Sequence, residues 1–373
     1  MKFYLDMLKK DEKVSLSLRG LYEKCGYKKY RMSRFEEFSL YAENKNFLGT
    51  ERILTFNDID GKLLALKPDV TLSIVKNTKA TRQNAEKFYY IENVYRFSQQ
   101  SKAFKEISQM GLELLGDIGA FETAEVVLLA LRSLNEIDSE FVLDISHTGF
   151  LQGLFEFFKF PASAVAEITE CIGAKNPHDL TAVCMKHGLS EADAAAVKET
   201  ALLSGSAAEV LKVAKKLCKN QRMKTAVKEL SECTDIVRAD TLFKNIRIDF
   251  SIINDIGYYG GLIFKGYVAK VPRHVLSGGR YDNLLKRFSN DLGAIGFALY
   301  LDELAGAYPS EPFSVDVVIL YDGTDAGAKL YKEAAKLLDA GKSFWIGKEL
   351  PRDIIYKRVY KFADGRLKEA NDA

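Results

Sequence analysis

Two polar residues and a glycine at alternate positions, Gln109, Gly111 and Glu113, mark the stretch of this chain best suited to chemistry. In a strand they share one face, while the methionine and leucines between them face the other way and predict core packing. A buried amide and a buried carboxylate need hydrogen-bonding partners. A glycine between them leaves room for another molecule. We therefore predict that residues 106–115 form the floor of a small-molecule pocket.

The strand that holds this floor is predicted to pair with the strand before it. Residues 87–116 read as two strands joined by a polar loop, and the first strand places Tyr90 and Arg96 on one face. Upstream, Pro68 ends another predicted strand and Asp69 follows it directly. Asp69 either caps the next helix or lines the same pocket, and the local sequence favours the cap.

Composition excludes several classes of protein. The 373 residues suffice for two or three domains, and a formal net charge of +2 implies no strong field for nucleic acid or membranes. The five cysteines are odd in number and form no CxxC pair, which favours reduced thiols in the cytoplasm. No amino-terminal apolar segment or bilayer-spanning run is present, so no membrane is expected. With four histidines, we expect no metal site.

Hydrophobic periodicity predicts the surrounding elements. We expect a helix over 11–26, a strand over 27–32, a hairpin over 52–66 and a helix over 119–134. Residues 161–238 are rich in Ala, Lys, Glu and Leu, which predicts a helical insertion. After Pro312, an apolar strand and a helix resemble the start of a shortened α/β unit.

Four segments, in this order, resemble motifs of histidyl-tRNA synthetase, a class II aminoacyl-tRNA synthetase. LLALKPDVT resembles the family's LALRPE-x-T segment, and KFYYIENVYRF with KEISQMGLELLG resembles motif 2. DIGYYGGLIFKGY resembles RGLDYYTGTVFE, and LSGGRYDNLL with GAIGFALYLDEL resembles the GGRYD segment and motif 3. Together they cover roughly residues 10 to 305.

The resemblance implies an α+β fold in which a class II synthetase-like antiparallel sheet is flanked by helices. Residues 1–160 and 239–308 would form the synthetase-like core. Residues 161–238 would be the helical insertion, and 309–373 a shortened carboxy-terminal α/β unit.

Three positions depart from the family where it places arginines that hold ATP. The first arginine of the motif 2 loop is Ala103, the arginine of RGLDYY is Asn254, and that of motif 3 is Glu303. A triphosphate needs fixed cations. Contact between two charges contributes about 4 kcal/mol at intermediate dielectric, and a carboxylate reverses its sign. These departures imply that the chain does not adenylate an amino acid.

The amino-acid half of the family's site is kept. The positions that match the histidine pocket are Asp69, Thr71, Arg96, Gln109, Glu113, Tyr258 and Tyr259. Asp69 replaces the family's glutamate with a shorter carboxylate. For each residue a structural role is the alternative, for example an ion pair of Arg96 with Glu92 or Glu113. Taken together, the resemblance implies a histidine-binding pocket.

This combination resembles the family of ATP phosphoribosyltransferase regulatory subunits. The resemblance implies no catalysis, no cofactor and no metal. It also implies a partner, the short-form catalytic subunit, which makes phosphoribosyl-ATP in the first step of histidine biosynthesis. The chain would activate that subunit and sense L-histidine in the cytoplasm.

The same resemblance implies self-association, as a dimer within a hetero-octamer, although Ser33 stands where the family has an interface proline. RNA binding is not expected, because from Val315 onward 11 Lys and Arg face 10 Asp and Glu. Two alternatives remain. One is a divergent histidyl-tRNA synthetase in which Lys105 or Arg287 replaces a missing arginine, and the other is recruitment to a different amino acid or task.

Overall fold

The computed structural model describes residues 8–44, 48, 52–253, 259–288, 291–308, 314–323 and 327–370. The chain divides into two compact units, Met1–Tyr308 and Pro309–Ala373.

A nine-stranded sheet forms the centre of the first unit, with the order β1-β5-β6-β12-β11-β10-β7-β9-β8. Its strands are β1 (Lys28–Lys29), β5 (Glu86–Ser98), β6 (Ala103–Gly116), β7 (Phe141–His147), β8 (Ser204–Ser206), β9 (Ile246–Asp249), β10 (Leu262–Val268), β11 (Leu276–Arg280) and β12 (Gly293–Tyr300). Apart from the pairs β1–β5 and β7–β9, neighbouring strands are antiparallel. A second sheet has the order β2-β4-β3, with β2 at Phe35–Glu37, β3 at Thr55–Asn57 and β4 at Leu63–Leu66.

Helices flank the large sheet. In the first unit they are α1 (Lys10–Lys24), α2 (Phe38–Glu43), α3 (Thr71–Asn77), α4 (Ala120–Ile137), α5 (Thr148–Phe157), α6 (Ala162–Gly173), α7 (Pro177–Lys186), α8 (Glu191–Ala201), α9 (Ala207–Leu217), α10 (Gln221–Val237), α11 (Asp282–Arg287) and α12 (Leu301–Ala307). The predicted fold class, an antiparallel-rich sheet flanked by helices, is confirmed.

Most of the predicted elements near the sheet are confirmed. The helix predicted over 11–26 is α1, and its buried residues Val14, Leu18 and Tyr22 are spaced by four, as one face of a helix requires. The hairpin predicted over 52–66 is the pair β3–β4. The helix predicted from residue 119 is α4, where the Glu122 carboxylate accepts the Gly119 N–H at 2.9 Å.

The strand predicted over 27–32 is wrong in length. Only Lys28 and Lys29 pair with β5, and the Tyr30 N–H makes a last bond to the Tyr89 carbonyl at 2.8 Å. Further along the same edge, the Lys67 carbonyl accepts the Tyr95 N–H at 2.9 Å. A different segment therefore contacts the edge of β5 beyond the short strand β1.

The two faces of the sheet pack against different clusters of apolar residues. Met110, Leu112 and Leu114 belong to the larger cluster, with the long helix α4. Tyr90 and Leu115 belong to a smaller cluster on the opposite face. The predicted division of the strand at 106–115 into a core face and a polar face is therefore confirmed, and the polar face belongs to the smaller cluster.

Residues 161–238 are mostly helical, as their composition predicts. They also contribute β8, which pairs with β9 at the edge of the large sheet. Their apolar residues, such as Ile168 and Leu230, join the larger cluster. The boundaries proposed for the core and the insertion stay predictions.

The second unit contains a four-stranded sheet with the order β14-β13-β15-β16. Its elements are β13 (Ser314–Leu320), α13 (Gly327–Asp339), β14 (Phe344–Gly347), β15 (Ile355–Ala363) and β16 (Arg366–Glu369). Strand β13 is parallel to both neighbours, as in an α/β unit, and β16 pairs antiparallel with β15. Leu330 and Ala334 of α13 pack with Val317 and Ile319 of β13.

Candidate functional site

The site is built on the hairpin β5–β6. The strand register places Tyr90 opposite Gly111, Glu92 opposite Gln109 and Phe88 opposite Glu113. Antiparallel partners project to the same face of a sheet, so these residues share the polar face that the sequence predicts. Both Gln109 and Glu113 are only 2% exposed.

The space above Gly111 has a different occupant from the one predicted. A Cβ atom at this position would overlap the ring of Tyr90, which lies across the glycine. Gly111 therefore makes room for an aromatic side chain of the same hairpin, and the ligand-sized gap inferred from the glycine is wrong. The Tyr90 ring therefore lies on the same face as Gln109 and Glu113.

Two hydroxyl groups bind the carboxylate of Glu113. The Thr71 hydroxyl donates to Oε1 at 2.8 Å, and the Tyr281 hydroxyl donates to Oε2. Gly296 lies directly behind this carboxylate, and any Cβ there would collide with it. Residues from α3, β6 and β12 therefore meet at one buried carboxyl.

Burial raises the pKa of Glu113 to about 8, although the hydrogen bonds from Tyr281 and Thr71 oppose the shift. Asp69 contributes a further rise because its own carboxylate is nearby. A buried carboxyl held by neutral donors can gain stabilisation from a cationic group. The arrangement suits a ligand that brings a protonated nitrogen.

Asp69 caps a helix, as the local sequence favours, and it also pairs with Arg96. Its Oδ1 accepts the Leu72 N–H at 2.8 Å at the start of α3, and its Oδ2 lies 3.5 Å from Arg96 Nη2. Arg96 also donates from Nε to the Pro68 carbonyl at 2.8 Å. The proposed pairing of Arg96 with Glu92 is not observed, because Glu92 accepts from Lys67 at 2.5 Å.

One donor of the pocket is unused. Gln109 Nε2 is buried and has no hydrogen-bond partner in the described part of the chain. A buried donor without a partner is costly, and a ligand oxygen would satisfy it. Gln109 is therefore a candidate contact for a ligand carboxylate or carbonyl.

Three tyrosines surround these charged groups. Burial raises the pKa of Tyr90, Tyr259 and Tyr300, and in all three Asp69 adds to the rise while Arg96 opposes it. The shared influence of Asp69 and Arg96 shows that all three hydroxyl groups lie within electrostatic range of that ion pair. Tyr259 was predicted; Tyr258 and Asn254 lie outside the described residues.

Sequence reasoning missed Tyr90, Tyr281 and Tyr300. A signal existed for two of them. Tyr281 belongs to the quoted GGRYD segment, and Tyr90 lies opposite Gly111 in the predicted hairpin. Tyr300 ends β12, and only the pairing of Tyr300 with Gln109 brings it to the pocket.

Known proteins match most of this sequence. A family profile described as histidyl-tRNA synthetase matches residues 3–304. The chain belongs to the histidyl-tRNA synthetase family. It is 26% identical over 302 residues to an ATP phosphoribosyltransferase regulatory subunit from Oceanobacillus iheyensis, covering 80% of this chain and 74% of that protein. It is 30% identical to a histidine–tRNA ligase from Methanocaldococcus jannaschii, covering 81% and 73%.

Solved structures of this family agree on the fold. A crystal structure described as an ATP phosphoribosyltransferase regulatory subunit/histidyl-tRNA synthetase from Bacillus halodurans matches with a TM-score of 0.76 at 22% identity, covering 95% of this chain and 96% of that one. An ATP phosphoribosyl transferase complex from Thermotoga maritima contains a chain that matches with a TM-score of 0.60 at 20% identity, covering 80% and 98%. The resemblance predicted from the four sequence segments is confirmed.

Two positions that match the family's ATP-binding arginines carry no positive charge in this chain. Ala103 begins β6 and is exposed. Glu303 lies in α12, where its carboxylate is 3.9 Å from Arg273 Nη1. The two positions thus offer an alanine and a carboxylate that already has a cationic neighbour. Lys105, suggested as a substitute cation, is exposed on β6.

Other kinds of site find little support in the described ranges. There, no group of three His, Cys, Asp or Glu side chains could hold a metal ion. None of the helices within these ranges combines the length and apolar character needed to cross a bilayer. All five cysteines are free thiols.

Proposed function

We propose that this chain is a non-catalytic regulatory subunit of ATP phosphoribosyltransferase, acting in the first step of histidine biosynthesis. It would bind and activate the short-form catalytic subunit and sense L-histidine. The observation that carries the proposal is a contrast between two sets of residues. Gln109 Nε2 is a buried donor without a partner in the described part of the chain and Glu113 is a buried carboxyl held by neutral hydroxyls, whereas Ala103 and Glu303 supply no cation at the positions that match the family's arginines. The names of the relatives support the same conclusion.

L-Histidine has the groups that this pocket can bind. A protonated nitrogen of the ligand would be stabilised by Glu113, whose present partners are neutral hydroxyls. An oxygen of the ligand carboxylate would accept from Gln109 Nε2 or Arg96. The rings of Tyr90, Tyr259 and Tyr300 would enclose the imidazole.

ATP lacks a comparable set of partners. Adenylation develops charge at the α-phosphate, which fixed cations must stabilise. Ala103 supplies none, and Glu303 places a carboxylate beside Arg273. A chain that binds histidine but does not adenylate it would act as a histidine sensor.

Sensing would act by a shift of populations. Histidine would favour whichever assembly of regulatory and catalytic subunits binds it more tightly, and the shift is limited by that difference in affinity. We further propose that the chain forms a dimer within a hetero-octamer in the cytoplasm, binds no nucleic acid and needs no cofactor or metal.

The proposal is tested by the rate of a cognate short-form transferase with and without the purified chain. We expect the chain to raise that rate and L-histidine to lower it again. The Glu113→Gln variant should still activate while losing the response to histidine. Glu106→Gln is the matched control, since Glu106 accepts from Asn93 and Tyr95 rather than from the pocket hydroxyls. No activation by the wild-type chain would refute the proposal.

A divergent histidyl-tRNA synthetase is the second candidate, and its support is the 30% identity to a histidine–tRNA ligase. The loss of cations at Ala103 and Glu303 argues against it. Histidine-dependent exchange between ATP and pyrophosphate separates the two. We expect none from the wild-type chain, and a clear signal would establish the synthetase instead.

A further inference from the structure

A run of positive charge lies in the helical insertion, outside the site around Glu113. Residues 212–228 contain seven Lys and Arg and neither Asp nor Glu, in a chain whose formal net charge is +2. The run extends from the last turns of α9 into α10, and all seven side chains are exposed. Like charges held close together repel one another, and a bound anion relieves that repulsion.

Three of these cations line a groove between α9 and α10. Its volume is about 240 Å³, and we call it the lysine groove. The α10 residues that line it are related by intervals of three or four positions, so they form one face of that helix. The lysine groove is defined by Lys215, Cys218, Lys224, Val227, Lys228, Ser231, Glu232 and Asp235.

The two ends of the lysine groove carry opposite charge. Lys215 and Lys224 lie at one end, and neither forms an ion pair with a residue in the described part of the chain. Glu232 and Asp235 lie further along α10, on the order of 12–16 Å from Lys224 along the helix axis. A ligand that spans the groove therefore meets cations at one end and carboxylates at the other.

The carboxylates at the far end have cationic neighbours that a ligand can replace. Glu232 lies 3.6 Å from Lys228 Nζ, and Asp235 lies 3.3 Å from Arg238 Nη2. All four side chains are exposed, and exposed ion pairs contribute little to stability. An ammonium group between the two carboxylates can donate to both at once.

The middle of the lysine groove is apolar. Val227 is 2% exposed and Cys218 is half-buried, so their side chains form a floor for a carbon skeleton. The lining holds three lysines and two carboxylates, a net charge of +1. A phosphomonoester carries about −1.5 to −2 at neutral pH. One ammonium group on the same molecule brings its charge close to the complement of the groove.

We infer that the lysine groove binds a small phosphomonoester that also carries an amine several bonds away from the phosphate. The phosphate oxygens accept from the three lysines, the ammonium donates to the two carboxylates, and the skeleton between them covers the apolar floor. The groove shares no residue with the site around Glu113, and the inference does not rest on the proposed function.

Isothermal titration calorimetry of the full chain tests the class of ligand with three related probes. Pyridoxamine 5′-phosphate has the phosphate, the amine and an apolar ring between them. Pyridoxine 5′-phosphate replaces the amine with a hydroxyl, and pyridoxamine lacks the phosphate. We expect one molecule of pyridoxamine 5′-phosphate per chain, bound at least about tenfold more tightly than either of the other probes.

Two triple variants separate the groove from a general effect of positive charge. The groove variant, which should weaken binding of pyridoxamine 5′-phosphate at least about tenfold, is Lys215→Gln/Lys224→Gln/Lys228→Gln. The control variant removes the same charge from exposed lysines of the same run that do not line the groove, and it should leave the affinity unchanged. It is Lys212→Gln/Lys216→Gln/Lys219→Gln.

The double variant Glu232→Gln/Asp235→Asn tests the amine end of the groove. It should remove the preference for pyridoxamine 5′-phosphate over pyridoxine 5′-phosphate, because neutral amides do not attract an ammonium group as carboxylates do. A preference that persists in this variant would contradict the placement of the amine.

Cys218 provides a second measurement that needs no variant. Its thiol lies in the groove and donates to the Ala214 carbonyl at 3.2 Å. Pyridoxamine 5′-phosphate should slow alkylation of Cys218 by N-ethylmaleimide and leave alkylation of the exposed Cys25 unchanged. Mass spectrometry of the peptides follows both thiols.

Equal affinity for the three probes, equal loss in both triple variants, or no protection of Cys218 would overturn the inference. An RNA duplex that binds more tightly than pyridoxamine 5′-phosphate and is weakened equally by both triple variants would assign the run to nucleic acid and overturn it as well. These results are independent of the transferase assay, because a chain that fails to activate the transferase can still bind the probe.

Discussion

The two halves of the family's site differ in how their charges are supported. In the amino-acid half, Glu113 is buried and accepts from Thr71 and Tyr281, and Asp69 pairs with Arg96. At two positions that the sequence predicts to match the family's ATP-binding arginines, Ala103 is exposed, and Glu303 is a carboxylate 3.9 Å from Arg273. The first set of residues forms a buried polar network, and the second offers an exposed alanine and a carboxylate with a cationic neighbour.

The buried groups of the amino-acid half differ in how far their hydrogen bonds are satisfied. A buried polar group destabilises a fold unless it is satisfied, and Gln109 Nε2 has no partner among the described residues, whereas both carboxylate oxygens of Glu113 accept from hydroxyls. An exposed former arginine position has no such cost.

The largest effect concerns the pH dependence of folding. Because burial raises the pKa of Glu113 from 4.5 to about 8, the folded chain holds a proton in this window that the unfolded chain has released. The contribution of protonated Glu113 to the free energy of unfolding is complete below about pH 4.5. It is lost as the pH rises towards about 8, and the loss is on the order of 3–5 kcal/mol. Denaturant titrations from pH 5 to pH 8.5 should show a flatter profile for Glu113→Gln than for the wild type.

Glu106→Gln again provides the control and should follow the wild-type profile. Equal slopes of the free energy of unfolding against pH in the wild type and Glu113→Gln would mean that the pKa of Glu113 is not raised. The contrast between the two sets of residues would then disappear.

The second effect concerns the ligand. Glu113→Gln should weaken L-histidine binding at least about 100-fold, because an amide cannot stabilise a cation as a carboxylate does. In the wild type, affinity should rise with pH towards about 8, as the free carboxyl loses its proton. Isothermal titration calorimetry measures both. Unchanged affinity in the variant would remove Glu113 from the ligand site.

The third effect tests the floor of the pocket. Gly111→Ala should destabilise the chain by about 1–3 kcal/mol, since the added methyl overlaps the Tyr90 ring. Gly20→Ala is the matched control: no atom lies near a Cβ at Gly20 in α1, and alanine should stabilise the helix by up to about 1 kcal/mol. Chemical denaturation measures both, and a neutral Gly111→Ala would show that Tyr90 moves aside easily.

The smallest effect tests the former ATP half. Restoring cations with Ala103→Arg and Glu303→Arg should tighten ATP binding by about tenfold, the effect of roughly 1.4 kcal/mol. Glu191→Arg, on the exposed start of α8, controls for a general gain of positive charge. Calorimetric titration with ATP gives the comparison. A wild type that binds ATP as tightly as the double variant would erase the contrast between the halves.

The sequence predicted the polar face of β6 well because alternation in a strand is a local property. Gln109 and Glu113 are on one face, as the period of two requires, and both are buried. Local patterns predicted less about Asp69, since its carboxylate both caps a helix and pairs with Arg96 from a distant strand. Arg96 forms an ion pair, but with Asp69 rather than with Glu92 or Glu113, because the choice of partner depends on how segments distant in the chain approach each other.

The sequence by itself determined the polar alternation in β6, the amphipathic helices and the motifs that identify the family. Only the tertiary structure decided that Tyr90 fills the space above Gly111 and that Thr71 and Tyr281 both donate to Glu113. The physical reason is separation along the chain. Alternation and helical periods extend over a few residues, whereas a carboxyl pKa depends on residues up to 168 positions apart.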